Sequence, residues 1–123
     1  MDRPVYITAL GKFLPGPPVG NDEVEDRLGK IAGRASRAKR RILKSNGILT
    51  RHYALDPEGR ATHRNWELAA KAGLDALARS PLGLAEVRFL AAATSQPDLL
   101  VPGFASMVHG ELRVPPCEIA SYA

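Results

Sequence analysis

The stretch that decides the fold is VRFLAAATSQPDLLVPGFASMVHGELRVPPCEIAS, residues 87–121. Its first part, VRFLAAA (87–93), is almost entirely apolar, as in a strand that is buried on both faces. Pro102 is a favourable first residue for the helix predicted over GFASMVHGEL (103–112). PPCEIAS (115–121) then predicts a short second strand. A strand, a helix and a strand in this order predict a parallel βαβ unit.

The residues before this unit also alternate between predicted strands and predicted helices. NWELAAKAGLDALARS (65–80) predicts the longest helix, capped by Thr62 or Asn65, with a stripe of small residues suited to packing on a flat sheet. PVYITAL (4–10) predicts a strand. Asn21 is placed to cap a helix over DEVEDRLGKIA (22–32), and RASRAKRRILKS (34–45) predicts a basic helix. The whole order predicts one α/β domain over residues 1–123.

Length and composition are those of an ordinary globular chain. Of its 123 residues, 45% are hydrophobic and 24% are charged. No apolar run approaches the roughly 20 residues that a membrane span needs, so no membrane partner is expected. A single cysteine cannot form an internal disulfide, which favours a reducing compartment. The sequence therefore predicts a cytoplasmic protein.

Positive charge is concentrated in one segment. The formal net charge is +4, and GRASRAKRRILKS (33–45) contains six basic residues and no acid: Arg34, Arg37, Lys39, Arg40, Arg41 and Lys44. Such a segment is either a solvated helix face or a docking site for an anionic partner. Nucleic acid is the weaker option, because the segment has no recognition-helix pattern and no interleaved aromatic residues for base stacking.

The single cysteine, Cys117, has two interpretations. A nucleophilic thiolate needs a positive environment, such as the turn from a strand into a helix. Cys117 instead begins a predicted strand and is followed by Glu118, which favours a packing role. His52, His63 and His109 are far apart in the sequence, and only His109 is near enough to be a partner for Cys117. The sequence has no glycine-rich phosphate loop and no Cys/His metal cluster, so no cofactor or metal is predicted.

Three stretches, in order, resemble the β-ketoacyl-acyl-carrier-protein synthases of type III, which belong to the thiolase superfamily. KFLPGPPVGNDEVEDRLGKI (12–31) is similar to the family's amino-terminal segment, and RRILKSNGILTRHYALD (40–56) is similar to its Gly-Ile stretch. TSQPDLLVPGFASMVHGEL (94–112) resembles the loop and helix that precede the active-site cysteine. KFLP and ASMVHGEL are most similar to the branch that forms dialkylresorcinol or cyclohexanedione products.

This resemblance implies an acyltransferase with a thiolase-like α/β fold in αβαβα layers, of which residues 1–123 form an incomplete amino-terminal half. The family works as a homodimer and condenses an acyl thioester, held on a cysteine, with a carrier-bound partner, as in fatty acid or polyketide biosynthesis. The family's nucleophile falls a few positions past Ala123. The resemblance therefore implies no catalytic residue in this chain and assigns catalysis to the carboxyl-terminal part of the synthase, in the same or a separate chain.

The resemblance also implies roles for residues of this chain. Ser95, Val101 and Pro102 would line the acyl tunnel, with Val101 reaching across the dimer into the neighbour's pocket. Arg41 and Ser45 stand where coenzyme-A-using members have Trp and Arg, which favours acyl donation from a carrier protein. The residues expected to dock that acyl carrier protein, or its phosphopantetheine phosphate, are Arg37, Arg40, Arg41 and Lys44.

Three hypotheses follow from these observations. The first is the amino-terminal part of a type III ketosynthase, which supplies sheet, dimer surface and tunnel wall and is inactive alone. The second is a non-catalytic partner subunit that keeps the thiolase half-fold for binding. The third is a small enzyme that uses Cys117 as a nucleophile together with His109.

Overall fold

The computed structural model of the chain describes residues 4–123. They divide into two compact units, one made of residues 4–13 and 64–123 and the other of residues 14–63. The helices and strands, in chain order, are β1 Val19–Gly20, α1 Val24–Leu28, α2 Lys39–Ser45, β2 Thr50–Arg51, α3 Asn65–Ala78, β3 Phe89–Ala93, α4 Phe104–Leu112 and β4 Glu118–Tyr122. A single 3₁₀ turn, Leu84–Glu86, stands between α3 and β3.

The βαβ unit predicted from residues 87–121 is confirmed. β3 and β4 are parallel neighbours, in register from Phe89 opposite Glu118 to Ala93 opposite Tyr122, and α4 connects them. The prediction that β3 is buried on both faces is wrong for the described residues, because burial alternates along the strand and Phe89 is 51% exposed. α4 covers one face of this two-stranded sheet.

The core of this unit lies between α3 and α4. Its buried members are Ala70, Phe104, Val108, Leu112 and Val114, with Trp66, Ala69 and Cys117 among the partly buried side chains packed around them. A Cβ on Gly73 would lie 3.7 Å from both terminal carbons of Leu112. The small-residue stripe of α3 thus lets α4 approach closely, and the prediction that it packs on a flat sheet is wrong: α3 packs mainly on α4.

The predicted helix starts need correction. Neither Thr62 nor Asn65 caps α3; the helix begins after Arg64, whose backbone N–H donates to the Glu67 carboxylate at 2.6 Å. α4 begins at Phe104 with Gly103 as its extended cap residue, so Pro102 precedes the helix and does not open it.

Residues 4–10 do not form the predicted strand. Within the part of the chain that the structure describes, this segment has no strand partner, and Val5 and Ile7 are 96% and 84% exposed. The β-branched pattern is present, but a strand also needs a neighbour for its backbone hydrogen bonds. Contact with α3 begins directly after this segment, at residues 11–13. Gly11 lies against the helix, the Lys12 N–H donates to Asp75 at 3.0 Å, and Phe13 lies under the Lys71 ammonium.

The unit of residues 14–63 contains α1, α2 and the short antiparallel pair β1–β2. The two predicted helices exist but are shorter, because α1 ends before Gly29, which has a positive φ of 85°, and α2 starts only at Lys39. Asn21 is not a helix cap: its side chain donates to the Ile48 carbonyl and accepts from Arg51. Residues 56–59 form a turn that is closed by the hydrogen bond from the Gly59 N–H to the Asp56 carbonyl at 3.0 Å.

Candidate functional site

The first candidate site is the edge of the sheet where β3 and β4 both end. In parallel sheets, ligands bind outside the carboxyl ends of the strands. The loop of residues 94–103 leaves β3 at this edge and returns as α4. Ser95, Val101 and Pro102 all belong to this loop and are exposed, Val101 to 84%. Three apolar side chains in a row, at positions 99–101, are therefore in the solvent at this edge.

Asn65 fixes the start of this loop to the first turn of α3. Its side-chain amide donates to the Thr94 hydroxyl at 2.8 Å and to the Gln96 carbonyl at 3.0 Å. Its backbone N–H donates to the Asp98 carboxylate at 2.9 Å. The Gln96 N–H in turn donates to the Thr94 hydroxyl. Every one of these bonds restricts the segment that precedes the exposed apolar residues, so the loop leaves β3 in a defined direction.

Ser121 connects the end of β4 to the start of α4. Its hydroxyl accepts the Ala105 N–H at 2.9 Å. A Cβ on Gly103 would come within 2.9 Å of the same hydroxyl, so a larger residue there would displace the hydroxyl from its bond to Ala105. The Ser106 and Met107 N–H groups both bond to the Gly103 carbonyl. These first-turn donors of α4 are therefore engaged within the chain.

Cys117 lies half-buried beside the core, immediately before β4. The His109 ring contacts the Pro115 carbonyl through Nε2 at 3.4 Å. Within residues 4–123, no hydrogen bond joins His109 to Cys117. The structure thus gives neither residue the nucleophile–base contact that covalent catalysis requires.

The second candidate site is the basic surface of α2, in the unit of residues 14–63. Arg40, Arg41 and Lys44 line an open cavity of about 500 Å³. Arg40 and Lys44 also line a neighbouring cavity of about 490 Å³, together with Asn21 and Leu49. Arg37, Arg40, Arg41 and Lys44 are exposed and, among residues 4–123, form no ion pair. Their charge is available to an anionic partner.

Lys39 differs from its basic neighbours because it is paired. Its ammonium lies 2.9 Å from the Glu25 carboxylate, and the Ser36 N–H donates to the same carboxylate at 2.6 Å. The Ser36 hydrogen bond, followed by Lys39, holds the pKa of Glu25 below its ordinary value. Lys39 therefore joins α2 to α1 and does not belong to the free positive surface.

Clusters of metal ligands and membrane-spanning helices are both absent from the described residues. Nowhere in residues 4–123 do three His, Cys, Asp or Glu side chains converge as a metal ion would need. The helices within the same range all fall short of the length and apolarity of a membrane span.

Sequence reasoning missed Asn65, Asp98 and Ser121 as residues that shape the first site. Asn65 carried a signal, since an asparagine at a helix start usually acts through its side chain, but the local capping rule assigned it the wrong partner. The other two act on residues that are 16 to 33 positions away. No local pattern in the sequence encodes such contacts.

Comparison with known proteins agrees with this architecture, although no family model matches the chain. A β-ketoacyl-[acyl-carrier-protein] synthase III of Deinococcus radiodurans is 34% identical over 110 residues, which are 89% of this chain and 29% of that protein. A synthase III of Lactiplantibacillus plantarum is 30% identical over 111 residues, 31% of its length. The chain thus spans about a third of the curated relatives it matches.

Solved structures decide the fold. AbyA1, a tetronic acid condensing enzyme, superposes with a TM-score of 0.72 at 30% identity over 94% of this chain and 33% of its own. The synthase III FabH of Pseudomonas aeruginosa has a TM-score of 0.64 at 24% identity, and covers 94% of this chain with 31% of its own. This chain has the thiolase-like fold. The curated relatives named above are synthases III, and this chain is similar to about a third of each of them.

Proposed function

We propose that this chain is the amino-terminal part of a type III ketosynthase-like acyltransferase, which condenses an acyl thioester with a partner bound to an acyl carrier protein. The observation that carries the proposal is the similarity to two synthases III over 89% of the chain. The superposition on AbyA1 supports a condensing enzyme. The dialkylresorcinol or cyclohexanedione branch remains the finer proposal, and the similarity of KFLP (12–15) and ASMVHGEL (105–112) to that branch supports it.

The sheet edge would form part of the acyl tunnel. Ser95, Val101 and Pro102 are on one loop. Asn65 holds the start of this loop by a hydrogen bond to Gln96, and the apolar side chains at positions 99–101 are exposed. An exposed apolar segment at a sheet edge is suited to cover by a second polypeptide or by an acyl chain. We assign it to the homodimer interface, with Val101 contributing to the pocket of the neighbouring protomer.

The basic surface of α2 would meet the carrier. Carrier-bound phosphopantetheine brings a phosphate, and unpaired guanidinium groups bind phosphates by charge-assisted hydrogen bonds. Arg37, Arg40 and Arg41 supply guanidinium groups and Lys44 an ammonium, and none of the four forms an ion pair within residues 4–123. Because Ser45 replaces the Arg of coenzyme-A-using members, we propose donation from the carrier in preference to coenzyme A.

The reactive thiol would belong to the carboxyl-terminal part of the synthase and not to Cys117. The half-buried position of Cys117 and the absence of a bonded base support this assignment. The chain's own residues would then position the acyl group and exclude water. The alternative, a non-catalytic partner subunit, would use the same residues for binding but would not catalyse condensation.

The test uses the purified protein that contains this chain, incubated with isotope-labelled acyl thioesters and malonyl-loaded carrier protein. We expect a β-ketoacyl product and a label on a cysteine other than Cys117, with the same label in Cys117→Ser. Absence of acylation and of product would favour the non-catalytic subunit. Label found only on Cys117, and lost in Cys117→Ser, would remove the proposal.

A second measurement tests the docking role. Arg40→Glu with Lys44→Glu should raise KM for the carrier-bound partner at least about fivefold, because charge repulsion replaces attraction, while kcat stays close to that of the wild type. Arg88→Glu is the control for a charge reversal elsewhere, since Arg88 is also exposed but lies outside the basic surface. Equal effects of the two substitutions would contradict docking at α2.

A further inference from the structure

Ser36 lies in the segment of residues 29–38, which connects α1 to α2 and belongs to no helix or strand. Its side chain is exposed. Among residues 4–123 its hydroxyl has no hydrogen-bond partner, whereas its backbone N–H donates to the Glu25 carboxylate at 2.6 Å. The hydroxyl is therefore accessible to another protein, and no contact of the fold uses it.

Bases lie on both sides of Ser36 in the sequence. Positions 31–41 contain no acid and five bases, which are Arg34, Arg37, Lys39, Arg40 and Arg41. The acids of α1 precede Ser36 by ten positions or more, and the Glu25 carboxylate, which contacts the segment, is already paired with Lys39. An enzyme that binds the few residues around the Ser36 hydroxyl therefore meets positive charge on both sides.

The other exposed serines lack this combination. The hydroxyls of Ser45 and Ser121 form hydrogen bonds within the chain. Ser95 is exposed in a loop, as Ser36 is, but positions 90–100 contain no base and one acid, Asp98. Ser36 thus combines an unengaged hydroxyl with basic neighbours, and Ser95 offers a comparison in which only the charge differs in kind.

We propose that Ser36 is a phosphorylation site for a serine kinase that uses a nucleoside triphosphate and selects basic segments. Kinases discriminate between substrates by the charge pattern around the acceptor. In the transfer, the Ser36 Oγ forms a bond to the γ-phosphorus of ATP while the bond from that phosphorus to the β,γ-bridging oxygen breaks. ADP leaves, and a base of the kinase accepts the hydroxyl proton.

A phosphate on Ser36 acts on the contact that joins α1 to α2. It adds a charge of about −1.5 to −2 at pH 7, on a residue whose own N–H lies against the Glu25 carboxylate. The two anions repel each other at this short separation. Lys39, whose ammonium lies 2.9 Å from Glu25, is three positions from Ser36 and can pair with the phosphate instead.

The phosphate and Glu25 thus compete for Lys39. In the unmodified chain Lys39 joins α2 to α1 through Glu25. In the phosphorylated chain Lys39 turns to the phosphate, together with Arg34 and Arg37, and α1 loses its ion pair. The site does not depend on the condensing activity, because neither the kinase reaction nor this exchange of partners involves an acyl thioester.

The first experiment is phosphopeptide mapping of the full protein that contains this chain, isolated from growing and from starved cells of its source with phosphatase inhibitors present. Cleavage after glutamate keeps residues 26–58 in one peptide and residues 87–111 in another. Fragmentation in the mass spectrometer should place phosphate on Ser36 and none on Ser95. Absence of phosphate from Ser36 in both cultures would overturn the proposal, and so would equal modification of Ser36 and Ser95.

The second experiment incorporates phosphoserine at position 36 of the same protein during translation. Amide hydrogen exchange of residues 24–28 should become at least about fivefold faster, because α1 opens more readily without its ion pair. Phosphoserine at position 95 is the control and should leave this exchange unchanged. In Glu25→Gln the ion pair is already absent, so phosphoserine at position 36 should have little further effect.

Two results of this second experiment would contradict the exchange of partners. One is unchanged exchange of residues 24–28 with phosphoserine at position 36. The other is the same acceleration in Glu25→Gln as in the wild-type background, which would show that the phosphate acts without displacing Glu25.

Discussion

At the scale of single residues, Gly11 allows a close contact between two backbone segments that any side chain would prevent. A Cβ at this position would lie 2.2 Å from the Ala76 nitrogen and 2.5 Å from the Ala72 carbonyl oxygen. Both are backbone atoms of α3, which cannot move aside as a flexible side chain could. The glycine thus allows the segment after residue 10 to lie directly on the helix, and Ala72 and Ala76 keep that face of α3 narrow.

Gly11→Ala should therefore destabilise the protein by about 3 kcal/mol, at the upper end of the range for overpacking. Gly110→Ala is the control, because a Cβ there meets nothing within 4 Å and the residue lies inside α4. The second substitution should stabilise by about 0.5–1 kcal/mol through helix propensity. Urea unfolding of both variants measures the difference, and similar values for the two would contradict the close approach.

Val101 is the residue on which the tunnel assignment depends. Its side chain is 84% exposed, so a larger residue there disturbs no contact within the described chain. If the side chain narrows a neighbour's pocket, Val101→Phe should shift acyl preference towards shorter chains, by at least about tenfold in the ratio of kcat/KM values. Val101→Ala should not shorten the preference. Unchanged selectivity in the Phe variant, measured over a series of acyl thioesters, would remove Val101 from the tunnel.

At the scale of elements, α1 and α2 are joined by Glu25. Its carboxylate accepts the Ser36 N–H and pairs with Lys39, and both contacts hold its pKa below the ordinary value. A carboxyl whose pKa is lower in the folded state adds stability above its unfolded pKa, and this stability is lost as the pH falls through the folded pKa. Acid should therefore weaken the contact between the two helices.

Glu25→Gln should thus lower the thermal midpoint at pH 7 and should lower it less at pH 3, because the wild-type carboxyl becomes increasingly protonated as the pH falls. Glu111→Gln, on the exposed side of α4, should leave the midpoint unchanged at both pH values. Thermal scans between pH 3 and pH 8 test this, and a constant difference between wild type and Glu25→Gln at every pH would show that the charge is irrelevant.

The first turn of α3 and the loop of residues 94–103 form a second linked pair of elements. Asn65→Ala removes two side-chain hydrogen bonds to this loop, at Thr94 and Gln96. We expect a loss of about 1–3 kcal/mol, since the Gln96 carbonyl loses its donor. Amide hydrogen exchange of residues 96–101 should become faster than in Glu111→Gln, and unchanged exchange would mean that the loop is held by other contacts.

Comparison of sequence with structure shows which elements local patterns determine. The βαβ unit was predictable because its apolar runs, its helix and its turns all lie within 35 consecutive residues. The prediction of a strand at residues 4–10 was wrong because β-propensity describes a single chain segment, whereas a strand requires a second segment to pair with. The caps were wrong because Asn21 and Asn65 bond to residues 27 to 33 positions away. The family resemblance located the loop of residues 94–103. The hydrogen bonds from Asn65 that anchor this loop were not predicted.

At the scale of the whole molecule, large apolar side chains of the described residues are more often exposed than buried. Among the described residues, the buried hydrophobic core has seven members, and eighteen large hydrophobic side chains are exposed. Exposed apolar surface of this extent is suited to cover by another polypeptide.

The 123-residue chain, produced alone, should therefore self-associate, and sedimentation velocity should show species larger than 13.3 kDa that bind a hydrophobic dye. Leu100→Asp with Val101→Asp should reduce this association, because these side chains are 91% and 84% exposed at the sheet edge. Arg88→Asp serves as the control for an added acid on the same unit. A monodisperse, dye-free monomer would mean that the chain covers its apolar surface by itself, and the assignment of the loop to an interface between polypeptides would then be wrong.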